Sequence, residues 1–168
     1  VTNSSTDTTT PLTNFHVSYH WYMPEAIRQN RDLSSCVMSQ VTSLKYLFDG
    51  KDGYTGDISG WDVSAVTEFT VAFRDSDFNG DISGWDVSSA TLFNEIFSGS
   101  SFSGDLSRWD VSNVTNFQSA FYRNTLFNSD ISGWDVSNGT NFQQMFAENT
   151  TFDKDIRSWN VGAGAALG

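Results

Sequence analysis

Five tryptophans set a period. Trp61, Trp85, Trp109, Trp134 and Trp159 are separated by 24, 24, 25 and 25 residues. Self-similarity at a fixed spacing of this size marks stacked units, each too thin to bury its apolar side without a neighbour. Around the tryptophans one string recurs: GDISGWDVSAVT, GDISGWDVSSAT, GDLSRWDVSNVT, SDISGWDVSNGT and a decayed KDIRSWNVGAG. Each string but the last is followed by two aromatics four residues apart, Phe69 and Phe73, Phe93 and Phe97, Phe117 and Phe121, Phe142 and Phe146, and a further ring precedes each first Asp: Tyr54, Phe78, Phe102, Phe127, Phe152. Moving the frame back 25 residues from Trp61 places Asp32 to Thr42 on the same template, with Cys36 in the tryptophan position and Leu44 and Phe48 in the paired aromatic positions.

This register divides the chain into a Ser/Thr-rich leader over 1–13, an aromatic N-terminal cap over 14–31, repeats over 32–161 (five full coils and a decayed last one) and a Gly/Ala tail over 162–168. Within a unit, Trp61 and Val63 share parity while Asp62 and Ser64 alternate with them, the signature of a short half-buried strand. Thr67 stands at an N-cap position ahead of Phe69 and Phe73, and Thr115 to Gln118 and Thr140 to Gln143 have capping-box spacing, so a short helix is expected there. Strand beside strand and helix beside helix give an α/β repeat: a curved, right-handed, leucine-rich-repeat-like solenoid of 24- to 25-residue coils, parallel strands on one side and helices on the other.

The string FxxDISGWDVSNVTxFxxxF resembles the BspA-type repeat, an atypical leucine-rich-repeat-like unit of bacterial surface proteins that also occurs in protist and algal proteins. The resemblance covers about residues 32–161, although only Met145-Phe146 keeps the Met that such repeats carry before the second aromatic. It implies a cell-surface or secreted protein used in attachment or protein contact, and it implies no catalytic residues.

Nine Lys plus Arg against twenty Asp plus Glu give a net charge of −11, which disfavours nucleic acid and anionic membranes and favours cations and basic surfaces. No apolar run is long enough to span a bilayer, so no membrane insertion is expected. A lone cysteine excludes an intrachain disulfide. Cys36, with no basic neighbour to support a thiolate, reads as a core residue.

Two carboxylate columns are the chemistry the repeat offers. Asp57, Asp81, Asp105 and Asp130, continued by Asp155, form one; Asp62, Asp86, Asp110 and Asp135, ending in Asn160, form the other. Stacked like charges need local hydrogen bonds or shared cations: the first alternative makes each Asp the head of an Asx turn, the second makes the first column a calcium site. Apart from that calcium, no cofactor is expected. Asp62, Ser64, Asp86, Ser88, Asp110, Ser112, Asp135 and Ser137 point away from the core and form the expected binding face. His16 and His20, four apart, offer a metal pair or an aromatic-cap packing role. Four sequons, at Asn3, Asn113, Asn138 and Asn149, are candidate glycosylation sites, two of them inside the repeat string.

No nucleophile, base and orienter stand together, so a non-enzymatic role is expected: an extracellular or cell-surface interaction and adhesion module for a protein or glycan partner. The alternative is a structural subunit of a larger extracellular assembly of neighbouring copies, stabilised by calcium. A surface binder of ice or mineral is a third reading of the same polar repetition.

Overall fold

The computed structural model describes residues 22–167. The leader, His16, His20, Asn3 and the first part of the aromatic cap lie outside them. Six coils stack in register through one isolated parallel β-bridge between each adjacent pair, Ser43 to Glu68 to Leu92 to Asn116 to Asn141 to Ala166. The bridges repeat the spacing of the tryptophans, as they must if identical side chains are to lie one above another.

The α/β architecture expected from the repeat does not form. Among the described residues there is a single helix, α1 (Tyr22–Arg28), and no strand longer than a bridge residue. The leucine-rich-repeat-like solenoid with strands on one side and helices on the other is therefore overturned. Two physical causes are visible. Around the WDVS segment tight turns take donors that a strand would use: Trp61 N–H closes a turn on Ile58 and Val66 N–H closes one on Val63, at 3.1 and 2.8 Å. The Ser59 and Ser64 N–H groups go to the Asp57 and Asp62 carboxylates. No ladder forms here, because Asp side chains compete with a neighbouring strand for these donors.

At the paired aromatics the helix fails for a different reason. The N–H groups of Phe69, Val71, Phe73 and Asp75 point along the stack, to the carbonyls of Leu92, Asn94, Ile96 and Ser98, at 2.8 to 3.0 Å. Val71 and Asp75 take left-handed backbone conformations with φ of 61° and 50°, and the first, third, fourth and fifth coils repeat the former at Tyr46, Glu95, Ser119 and Gln144. A left-handed residue every fourth position ends any right-handed helix, yet it turns successive donors toward the next coil. For a β-branched residue such as Val71 this conformation is strained. The inter-coil bonds that the strain permits offset it.

Thr67 is no N-cap. Its N–H and hydroxyl both reach the Thr42 carbonyl below, at 2.9 and 3.3 Å, and Thr91, Thr115 and Thr140 continue the ladder. Glutamines 118 and 143 close no capping box either; their N–H groups bond Asn116 and Asn141 side chains.

The core runs the length of the stack. Phe73, Phe97, Phe121 and Phe146 stack with centroids 5.3 to 5.7 Å apart, the indoles of Trp61, Trp85 and Trp109 stack nearly parallel at 6.1 and 6.5 Å, and those of Trp134 and Trp159 at 6.4 Å. Each indole also donates Nε1–H to the carbonyl of the apolar residue one coil back: Trp61 to Leu33, Trp85 to Ile58, Trp109 to Ile82, Trp134 to Leu106 and Trp159 to Ile131, at 2.9 to 3.1 Å. Aromatic stacking with a satisfied N–H thus joins the backbone bonds from Phe69 to Asp75 and their equivalents in holding coil to coil. Cys36 is buried in the tryptophan position of the first coil.

One end of this core is closed. Helix α1 lays Met23, Ala26 and Ile27 on the first coil. Pro24 is tolerated in its first turn, where donors lack intrahelical acceptors in any case. Asn30, at φ 49°, ends it, with Arg31 N–H reaching back to Ala26 and Asn30 N–H to Ile27. At the other end Phe146, Phe152, Trp159 and Val161 are only partly covered.

Candidate functional site

The two Asp columns lie on one edge of the stack, along the turns of DISGWDVS. In the first column Asp57, Asp81, Asp105 and Asp130 each accept the N–H of the Ser two residues on, at 2.8 to 3.0 Å. Asp155 accepts that of Arg157 at 3.1 Å and pairs with its guanidinium. In the second column Asp62, Asp86, Asp110 and Asp135 do the same with Ser64, Ser88, Ser112 and Ser137. The Ser64 and Ser88 hydroxyls add bonds of 2.6 Å.

These bonds hold the carboxylates ionised. The Ser59, Ser83 and Ser107 N–H groups first, then their hydroxyls, keep Asp57, Asp81 and Asp105 below the ordinary carboxyl value. For Asp62, Asp86, Asp130 and Asp135 the serine hydroxyl leads and the N–H follows. Repulsion along the columns acts the other way and is weaker: Asp57 and Asp105 push Asp81 slightly up. Each of these carboxylates is held by the N–H at the head of its own turn, the Asx alternative of the sequence reading. Among the described residues no three His, Cys, Asp or Glu side chains converge on a point where a metal could sit, so the first column supplies its carboxylates singly.

The binding-face residues are where the alternation places them. All four Asp are exposed, while Ser64 and Ser137 are exposed and Ser88 and Ser112 half-buried. In each carboxylate Oδ1 is committed to the turn and Oδ2 takes no hydrogen bond among the described residues.

Three sequon asparagines have structural work. The Asn113 amide donates to the Ser88 carbonyl at 2.8 Å and Asn138 to Ser112 at 2.7 Å, so both pin adjacent coils. Asn149 heads a turn, accepting from Thr151 and Phe152 and donating to the Phe127 carbonyl. A glycan on any of these amides would displace that bond.

Sequence reasoning missed two features. One is a polar column, Ser76, Ser100 and Asn124, all buried, and the half-buried Asn149, whose side chains head the turn into Phe78, Phe102, Phe127 and Phe152. Asn124 is fully buried, and its amide spans to Ser100 and the Phe102 carbonyl. The signal was a small polar residue two or three places before Phe78, Phe102, Phe127 and Phe152 in every unit. The other is a set of ion pairs on the opposite edge: Arg74 with Asp49 and Glu95, Lys45 with Glu68, and Arg123 with Glu148, which Tyr122 also reaches at 2.7 Å. These partners differ from coil to coil, so no repeated motif announces them.

A family model described as "Mycoplasma protein of unknown function, DUF285" matches residues 17–110 and again 99–166. The chain belongs to this family. That match, with bridges in place of strands and no helix inside the coils, overturns the resemblance to the BspA-type leucine-rich-repeat-like repeat. No curated protein and no solved structure matches the chain. Membership in DUF285 brings no activity with it, so function has to be argued from the geometry. No helix among the described residues is long and apolar enough to cross a membrane.

Proposed function

We propose that this DUF285 chain is a non-enzymatic protein-interaction module, working in an extracellular or cell-surface setting, whose Asp–Ser edge meets a basic surface on its partner. One observation carries the reading. The exposed carboxylates of the second column are fixed by their own turns at one-coil spacing, and the second oxygen of each takes no hydrogen bond among the described residues. A charged lattice that is already ordered loses little entropy when it binds, and it steers oppositely charged partners toward it. The net charge of −11 adds long-range attraction of the same sign.

The test compares two charge-matched double variants, Asp86→Asn with Asp110→Asn on the edge and Asp52→Asn with Asp75→Asn away from it. Binding of a defined lysine- and arginine-rich peptide is measured by calorimetry at low and at ~0.15 M salt, where screening removes the diffuse part of the attraction. The edge variant should weaken binding at both salt concentrations and the control only at low salt. Equal losses in the two variants would mean that net charge, not the pinned edge, attracts the peptide.

A further inference from the structure

The turn between the second ring of each pair and the ring that follows comes in two lengths. Phe78 and Phe102 follow Phe73 and Phe97 by five residues, whereas Tyr54, Phe127 and Phe152 follow Phe48, Phe121 and Phe146 by six. A long turn beside a short one leaves space between coils. Where the Tyr54 turn lies beside the Phe78 turn, the Asp77 carboxylate fills that space by accepting Gly53 N–H at 2.7 and 2.9 Å. Where the Phe102 turn lies beside the Phe127 turn, a groove of about 340 Å³ stays open, and Leu126 on its lining is 52% exposed.

The groove has Ser103 and Asp105 on one side and Asn128, Ser129 and Asp130 on the other. Ser129 ties the two sides together, its hydroxyl donating to Asp105 Oδ1 at 3.2 Å and accepting Leu106 N–H at 3.0 Å. Asp105 and Asp130 are neighbours in the first column. Each gives Oδ1 to its own turn, and Oδ2 of each takes no hydrogen bond among the described residues. Arg108 and Lys154 act on these carboxylates only through space; neither pairs with them, and Lys154 pairs with Asp153.

The chain itself shows what fits carboxylates set one coil, ~4.8 Å, apart. In the same column Asp155 is gripped by a guanidinium, Arg157 Nε and Nη2 donating to its two oxygens at 2.9 and 2.6 Å. On the opposite edge Arg74 bridges two coils, donating to both oxygens of Asp49 and to Glu95. An ammonium lacks this planar fork and is more strongly hydrated. Leu126 offers an apolar surface to the aliphatic stem that a guanidinium brings with it.

We propose that this groove is a binding site for an arginine side chain of a partner polypeptide, the guanidinium bridging Asp105 and Asp130 and the stem lying on Leu126. The site rests on the reading of the Asp–Ser edge as the face for basic partners, and adds to it a residue type and a place.

The probe is acetyl-Gly-Arg-Gly-amide, titrated into the isotope-labelled protein while amide resonances are followed by NMR. Those of Gly104, Asp105, Ser129 and Asp130 should shift saturably with a Kd of about 1 mM, while Asp52 and Asp75, away from the edge, stay in place. The citrulline peptide, alike in shape but uncharged, should cause no shift at about 10 mM, and the lysine peptide should bind at least about threefold more weakly. Leu126→Ser changes no charge and alters an exposed side chain, so the fold survives it; it should weaken the arginine peptide about threefold. Asp105→Asn with Asp130→Asn should abolish saturation. No shift in the groove, citrulline or lysine binding as well as arginine, or indifference to Leu126→Ser would overturn the proposal. Shifts centred instead on Ser64, Ser88 and Ser112 would overturn the groove and sustain the edge. Saturation in the groove, with no effect of the Asp86 and Asp110 variants on the basic peptide, would sustain the groove and overturn the wider edge.

Discussion

Replacing Trp109 by Phe separates the indole ladder from generic core filling. Trp109 is 3% exposed, stacks on Trp85 at 6.5 Å, and contacts Phe93 and Phe97 at 5.7 and 6.2 Å. A phenyl ring keeps most of those contacts and loses the 3.0 Å bond to Ile82 O. That carbonyl retains Trp85 N–H at 3.1 Å, so it is not orphaned and the loss is about 1 kcal/mol rather than a full desolvation penalty. The smaller ring leaves roughly 40 Å³ empty between coils that cannot collapse independently, about 1 kcal/mol more at ~24 cal/mol per Å³. With the lost transfer energy of the ring atoms the sum is about 2 to 3 kcal/mol. Trp159→Phe removes the same donor from a ring already partly open to water, where the void fills with solvent, and should cost only about 1 kcal/mol. Urea denaturation followed by far-UV circular dichroism measures both, provided that the slope of each transition stays at the parent value; a shallower slope would mark an end coil unzipping on its own. If Trp109→Phe cost no more than Trp159→Phe, cohesion between coils would not depend on the buried indole bonds, and the ladder would be an ornament of the packing.

Lowering the pH should destabilise the fold below about pH 4. Asp57, Asp62, Asp81, Asp86, Asp105, Asp130 and Asp135 are held below 3.8 in the folded chain, so the unfolded chain binds protons first, and the stability they contribute above that value is lost as pH falls through their folded pKa values. A melting temperature that rises steadily from pH 6 to pH 3 would refute this. Gln144→Gly should raise stability by about 0.5 to 1 kcal/mol, because the exposed Gln144 sits at φ 55°. Gly99→Ala should lower it, since φ there is 66° and a Cβ would strike the Asp75 carboxylate; thermal melts of both variants check the pair. The Cys36 thiol, pushed up to about 11 by burial first and by the Asp32 charge second, should resist iodoacetamide at pH 8 in the native protein and react when urea unfolds it. Equal rates in the two states would place Cys36 outside the core.

The period and the buried residues were legible because stacking demands them. An indole can lie on an indole only if the chain returns at fixed length, and the rings at 61, 69, 73 and 78 are all buried together. The identity of the elements was not legible, because parity and capping rules describe side-chain direction and ignore competition for donors. Trp61 and Val63 do share a side, as a strand would require, yet the Asp at each turn takes the Ser N–H that a strand would pair. Phe69 and Phe73 share a side, as a helix would require, yet the left-handed residue between them, Val71, sends the backbone donors outward. No sequence rule places a valine at positive φ. Only the bonds gained between coils do, and they belong to the stack rather than to any one coil.

The same competition explains why the candidate site was half legible. Residues repeated in every unit are the ones whose polar atoms the fold uses. Asp gives Oδ1 to its turn, Asn113 and Asn138 give their amides to the coil below, Thr gives its hydroxyl to the preceding Thr carbonyl, and Trp gives its N–H to the coil before. Repetition inside this chain therefore reports folding before it reports recognition. What is left for a partner is what the turns do not use. Along the Asp–Ser edge this is the second oxygen of each carboxylate, repeated because its residue is repeated. Recognition at the edge should accordingly be additive over coils and sensitive to salt.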